Sequence, residues 1–95
     1  MPALWIAHVT VTDEVAYKKY AEGATVAIAE HGGTFIARGG RYVQLEGTDR
    51  PRNVVARFRD VETAERCYHS DAYQAALAHA RGASERELLI VETTE

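Results

Sequence analysis

Four side chains stand where chemistry on a small organic molecule could be assembled: His8, Tyr17, Arg38 and Glu92. An arginine holds a carboxylate through charge-assisted N–H bonds, often two at once. A tyrosine hydroxyl can donate a further hydrogen bond to the same ligand, and a histidine or glutamate can move a proton. His8 interrupts the apolar run Leu4-Trp5-Ile6-Ala7-His8-Val9-Thr10-Val11, which places a group that titrates near neutrality on a sheet face. Two readings of it stay open, a satisfied structural histidine and a catalytic base. Arg38, Arg57 and Glu92 are expected to project from the helix-free face near the ends of three strands. An arginine there is costly unless it pairs with a carboxylate or meets an anion, so an Arg–Glu pair at an interface and an anion-binding role are both open. Tyr17 is expected to offer its hydroxyl to a ligand, whereas Tyr20 reads as core packing.

Other chemistries lack their residues. His31, His69 and His79 do not have a metal-ligand spacing with His8, and no metal site is expected. Cys67 is the only cysteine, which excludes an iron–sulfur cluster and a thiolate-built zinc site, and within an Ala-rich stripe it reads as an inert small hydrophobe. No cofactor is expected. The formal net charge of -3 gives no positive field for phosphates, and Asn53 to Phe58 lacks the aromatic, basic motif of an RNA-binding sheet, so nucleic acid is not an expected partner. The glycine pairs match neither a dinucleotide fingerprint nor a phosphate loop.

The elements that must position these residues follow from local pattern. Leu4 to Val11 reads as a central strand covered on both sides. Asp13 can cap a helix carrying Tyr17, Tyr20, Ala21, Ala24, Ile28 and His31 at helical spacing, which stops at Gly32-Gly33. Thr34 to Arg38 is a second strand, after which Gly39-Gly40 permits a bulge or bend before Tyr42 to Glu46. Asn53 to Phe58 is a third strand. Asp60 caps a helix that breaks at Ser70-Asp71 and restarts as Ala72 to Ala80, and Leu88 to Val91 is the last strand. The β-α-β-β-α-β order predicts an α+β, ferredoxin-like fold: a four-stranded antiparallel sheet in strand order 4-1-3-2 with helices on one face.

Ninety-five residues fit a single domain, 1–95, and an apolar fraction of 46% with 26% charged residues is that of a globular chain. A solvated outer sheet face should alternate cleanly with polar residues, yet Leu4, Ile6, Ile36, Val55, Leu88 and Ile90 are assigned to the helix-free side. That face therefore predicts a homodimer. The chain shows neither a secretion signal nor a stretch long enough to cross a membrane, so the expected location is cytoplasmic and no membrane partner is expected.

The run His31-Gly32-Gly33-Thr34-Phe35-Ile36-Ala37-Arg38-Gly39-Gly40 resembles the signature of the bacterial family called domain of unknown function 1330. Thr10 to Asp13 with Tyr17 and Tyr20, Leu45-Glu46-Gly47, Arg52 before Val54-Val55, Tyr68 to Gln74 and the closing Val91-Glu92 are similar to it as well. Glu14 stands where such sequences often have proline, and Thr93 where glycine is frequent. The resemblance implies a ferredoxin-like, dimeric α+β barrel and no established activity or cofactor. Related barrel families include cofactor-independent monooxygenases, lactone isomerases and small-molecule sensing domains, and a shared fold does not transfer a function.

The functional expectation is a dimeric small-molecule-binding protein, with a cofactor-independent enzyme acting on a small organic acid or aromatic compound as one form of it. Its pocket is expected between the first helix and the open sheet face, lined by His8, Tyr17, Arg38 and Glu92, with a small anionic organic ligand. The alternative is a noncatalytic dimerisation or regulatory module in which the same residues only fix the register of two sheets.

Overall fold

The computed structural model describes residues 1–95. Its elements are β1 (Ala3–Val11), α1 (Glu14–Glu30), β2 (Thr34–Arg38), β3 (Arg52–Phe58), α2 (Val61–His69), α3 (Asp71–Ala80) and β4 (Ser84–Glu92). The strands form one antiparallel sheet in the order β2-β3-β1-β4, which is the expected 4-1-3-2 read from the opposite edge. In the middle of the sheet Trp5 of β1 faces Ala56 on β3 and Ile90 on β4. The chain is a ferredoxin-like α+β fold whose second helical connection is broken into two.

Side-chain oxygens set where the helices begin. Asp13 Oδ1 accepts from the backbone N–H groups of Val15 and Ala16, both at 3.1 Å, and so satisfies two donors that the first turn of α1 leaves free. Asp60 does the same for Thr63 at 2.8 Å. Ser70 closes α2 and opens α3: its Oγ donates to the Cys67 carbonyl at 2.7 Å and accepts from Tyr73 N–H at 3.2 Å.

The helices cover one sheet face. Ala3, Trp5, Ala7 and Val9 of β1 and Val54, Ala56 and Phe58 of β3 turn toward them and are buried. They meet Tyr17, Tyr20, Ala24, Ala27 and Ile28 of α1 and Cys67, Tyr73 and Leu77 from α2 and α3. Trp5 organises this layer, with its ring edge-on to Tyr73 at 5.0 Å and tilted against Phe58 at 5.7 Å. Removing a buried ring of that size costs about 3 to 5 kcal/mol. At Gly23 the two long helices approach so closely that an added Cβ would lie 2.8 Å from Ala76 Cβ.

Residues Tyr42 to Glu46 form part of an exposed connection between β2 and β3. Two expectations are corrected. A β-bulge between Phe35 and Ala37 inserts Ile36, so that Phe35 faces Ala56 and Ala37 faces Val55. Because one extra residue reverses the alternation, Arg38 lies opposite Val54 on the helix-covered side, not on the open face. In β4 the assignment of faces is also reversed: Leu88 and Ile90 pack against the core, while Leu89 and Val91 are exposed on the helix-free side. Four consecutive apolar residues carry no alternation from which their faces could be read.

Candidate functional site

The same alternation that buries Trp5 and Ala7 builds a cleft between α1 and the covered sheet face. Tyr17, Tyr20, Ala24 and Ile28 form one wall, Trp5, Ala7, Phe35 and Val54 the other, and Arg38, Arg52 and Arg86 the polar boundary. The cleft measures about 360 Å³ including its open mouth. In this side-chain arrangement its interior holds no more than about two or three waters; Arg38 at its boundary is exposed, and Arg52 and Arg86 are half-buried.

Three different elements supply the arginines. Arg38, brought inward by the bulge, donates from Nη2 to Thr25 Oγ1 at 2.6 Å and lies 4.4 Å from the centre of the Phe35 ring. Arg52, the first residue of β3, lies 5.8 Å from the Tyr17 ring centre. Gly39, at φ +67, turns its backbone over this guanidinium, and a Cβ there would stand 3.1 Å from Arg52 Nη1. Arg86 on β4 donates from Nη2 to the Tyr20 hydroxyl at 2.7 Å and, more weakly, to the Tyr73 hydroxyl at 3.4 Å. Its guanidinium lies 4.5 Å from the Tyr20 ring centre, within cation–π range.

None of these arginines is in an ion pair. The three ion pairs of the chain are Arg50–Glu87, Arg57–Glu95 and Arg59–Asp60. Glu14 borders the outer groove beside Arg52 and Tyr17 without pairing with Arg52. The Nε groups of Arg52 and Arg86 are buried and make no hydrogen bond. A chain of net charge -3 thus gathers three guanidiniums without a counter-charge around one apolar cleft. Buried donors on a cation are normally satisfied, and an acceptor that carries negative charge satisfies them best.

Tyr20 and Tyr73 are neutral at any working pH. Burial, reinforced by neighbouring Tyr73, pushes the Tyr20 phenol far above its ordinary range, and burial raises Tyr73 as well. Tyr20 therefore acts as a hydrogen-bonding hydroxyl rather than as a base.

Of the four residues singled out from sequence, the structure brings Tyr17 and Arg38 together in this cleft. His8 is on the opposite face of the sheet, exposed, with its Nδ1 bonded to Asn53 Oδ1 at 2.7 Å. Asn53 Nδ2 in turn donates to the Arg50 carbonyl at 3.1 Å, which orients the amide so that His8 Nδ1 carries the hydrogen. Glu92 lies exposed at the far end of β4, opposite Ala3, and does not reach the cleft. Arg57 alone of the three expected strand-end charges projects from the open face, and it pairs with Glu95 at 2.7 Å. The expected pocket between the first helix and the open face does not exist, because α1 packs on the other side. Arg52 and Arg86 were not anticipated as site residues, and Tyr20, read as core packing, has its hydroxyl bonded to Tyr73 and Arg86. The alternation Ser84, Arg86, Leu88, Ile90 was the available signal for Arg86, but it becomes visible only when the last strand is extended to Ser84.

No helix is long and apolar enough to cross a membrane. No protein of curated function matches the chain in sequence. Among solved structures, a protein of unknown function from Rhodopseudomonas palustris superposes with a TM-score of 0.79 at 16% identity, over 99% of this chain and 83% of that one. A dimeric ferredoxin-like protein of unknown function from Jannaschia sp. CCS1 gives 0.73 at 14% identity, over 98% and 100%. A variant of SnoaB, a cofactor-independent oxygenase from Streptomyces nogalater, gives 0.70 at 11% identity, over 99% and 94%. These similarities establish the shared fold. The family model named domain of unknown function (DUF1330) matches residues 2–94, and the chain belongs to that family.

Proposed function

We propose that this protein is a homodimer that binds a small organic anion, aromatic or otherwise compact and apolar, in the cleft between α1 and the covered sheet face. The observation that carries this reading is the convergence of Arg38, Arg52 and Arg86 on an apolar cleft without one carboxylate partner. Trp5, Phe35, Tyr17 and Ile28 offer the apolar body of a ligand its surface, and the arginines hold its charge. Arg38 anchors the ligand at the mouth and Tyr17 contributes its ring and hydroxyl. His8 and Glu92 stand outside this site.

The dimer is formed through the helix-free face. Leu4, Ile6 and Val55 are half-buried there, and Ile36, Leu89 and Val91 are 55, 53 and 45% exposed, an apolar surface that a second copy would cover. The dimeric description of the Jannaschia neighbour supports this assembly. Conversion of the bound compound without a cofactor is the enzymatic form of the reading, and the oxygenase neighbour supports it at the level of the fold. The noncatalytic alternative draws on the same open face, where His8–Asn53 and Arg57–Glu95 could fix the register of two sheets.

Calorimetric titration with benzoate and with uncharged benzyl alcohol tests the proposal. Benzoate should bind and benzyl alcohol should bind far more weakly, and Arg38→Met should weaken benzoate by about 1.5 to 3 kcal/mol while leaving the chain folded. Equal affinity for the two compounds would overturn the anion site.

A further inference from the structure

The hydrogen-bond directions at the inner end of the cleft can be counted. Tyr73 is fully buried, does not line the cleft, and has one acceptor within reach, the Tyr20 hydroxyl at 2.8 Å. Its other polar neighbour is the Arg86 guanidinium, which can only donate. If Tyr20 donated to Tyr73, the Tyr73 proton would be stranded in the core without an acceptor. The inexpensive arrangement is the reverse, with Tyr73 donating to Tyr20. Tyr20 Oη then accepts from both Tyr73 and Arg86 Nη2 and has no protein acceptor for its own proton. Tyr20 lines the cleft, so that proton is available there to a water or to a ligand that displaces it.

We propose that Tyr20 and Arg86 form a two-donor site for a single anionic oxygen, and that the cleft takes up phenols or enols in their ionised form. The inference rests on the anion-binding reading and narrows it to a ligand class. The acidic O–H bond of the ligand breaks, its proton leaves to the buffer, and the resulting oxyanion accepts from the Tyr20 hydroxyl and from Arg86, whose Nε is without a partner. Two donors that meet at one oxygen in a partly desolvated cleft, one of them cationic, would favour the charged form of the ligand over the neutral one. Tyr73 positions the site by holding the Tyr20 proton away from the core.

The probe is 4-nitrophenol, whose phenolate is distinguished from the phenol by its absorption, titrated into the intact protein below the solution pKa of the compound, with benzoate run in parallel. The bound probe should carry the phenolate spectrum. Tyr20→Phe should weaken its binding by about tenfold to a hundredfold, the range of a lost hydrogen bond to a charged group. Tyr73→Phe should change it by less than about threefold, because Tyr20 keeps its free proton. Tighter binding by Tyr73→Phe, or unchanged binding by Tyr20→Phe, would mean that the Tyr20 proton runs into the core and would overturn the inference while benzoate binding remained. A bound probe that stays protonated would overturn it equally. Failure of both probes to bind wild-type protein would remove the anion cleft and this site with it.

Discussion

Arg86 and Tyr20 are sixty-six residues apart in sequence, yet the guanidinium of the first donates to the hydroxyl of the second at 2.7 Å and also stacks on its ring. The contact joins β4 to α1 across the covered face of the sheet. It positions the cation at the inner end of a cleft whose other boundary residues are largely apolar, and it leaves Arg86 Nε without a partner. Burial of a cation in that setting is costly to the free protein, a cost that a bound anion would offset.

Ser70 joins two helices by serving both. Its Oγ satisfies the Tyr73 N–H at the start of α3 and donates to the Cys67 carbonyl at the end of α2. Ser70→Ala should lower stability by about 1 kcal/mol, measured as a shift of the denaturant midpoint without a change in slope. An unchanged midpoint would mean that water serves the two backbone groups as well as the hydroxyl does.

Cys67 is fully buried, and burial pushes its thiol from an ordinary value near 9 up to about 11. The folded state holds this proton more tightly than the unfolded chain does, so the contribution to stability is complete below about 9 and is lost as the pH rises from there through about 11. The denaturation midpoint should therefore begin to fall near pH 9. In Cys67→Ala the fall should begin later, above about 10, where Tyr20 and Tyr73, also raised by burial, would start to ionise in the unfolded chain. Superimposable pH profiles for the two proteins would contradict this assignment.

The open sheet face should hold two chains together. Light scattering at micromolar concentration is expected to give twice the 10.5 kDa of one chain. The double substitution Ile36→Glu with Leu89→Glu alters side chains already exposed in a single chain, so it should yield a folded monomer whose melting no longer depends on concentration. A wild-type monomer would refute the dimer, and a variant that stayed dimeric would place the interface elsewhere.

The fold was largely legible in the sequence because each of its devices is local. Asp13, Asp60 and Ser70 mark helix starts through short side-chain oxygens, Gly32 takes the positive φ of 77 that ends α1, and the strand order follows from handedness. The site was less legible because it depends on the parity of two strands. One inserted residue, Ile36, moves Arg38 from one face to the other, and nothing in Thr34-Phe35-Ile36-Ala37-Arg38 identifies the bulge. In β4 the apolar run Leu88 to Val91 conceals its facing, and a last strand that starts only at Leu88 leaves out Arg86, whose side chain reaches Tyr20 on the covered face. His8 was placed on the correct face, but its partner Asn53 lies forty-five residues away, a pairing that only the register of β1 against β3 creates.

The central claim is that the unpaired guanidiniums of the cleft wait for an organic anion, and arginine Nε–H nuclear magnetic resonance reads those groups directly. Arg52 and Arg86 are the two arginines whose buried Nε has no partner in the free protein. On titration with benzoate, their Nε–H resonances should shift together and saturate at one stoichiometry, while that of Arg50, already bonded to Glu87 at 3.0 Å, should stay in place. Shifts confined to arginines outside the cleft, or no saturable shift at Arg52 and Arg86, would contradict the account.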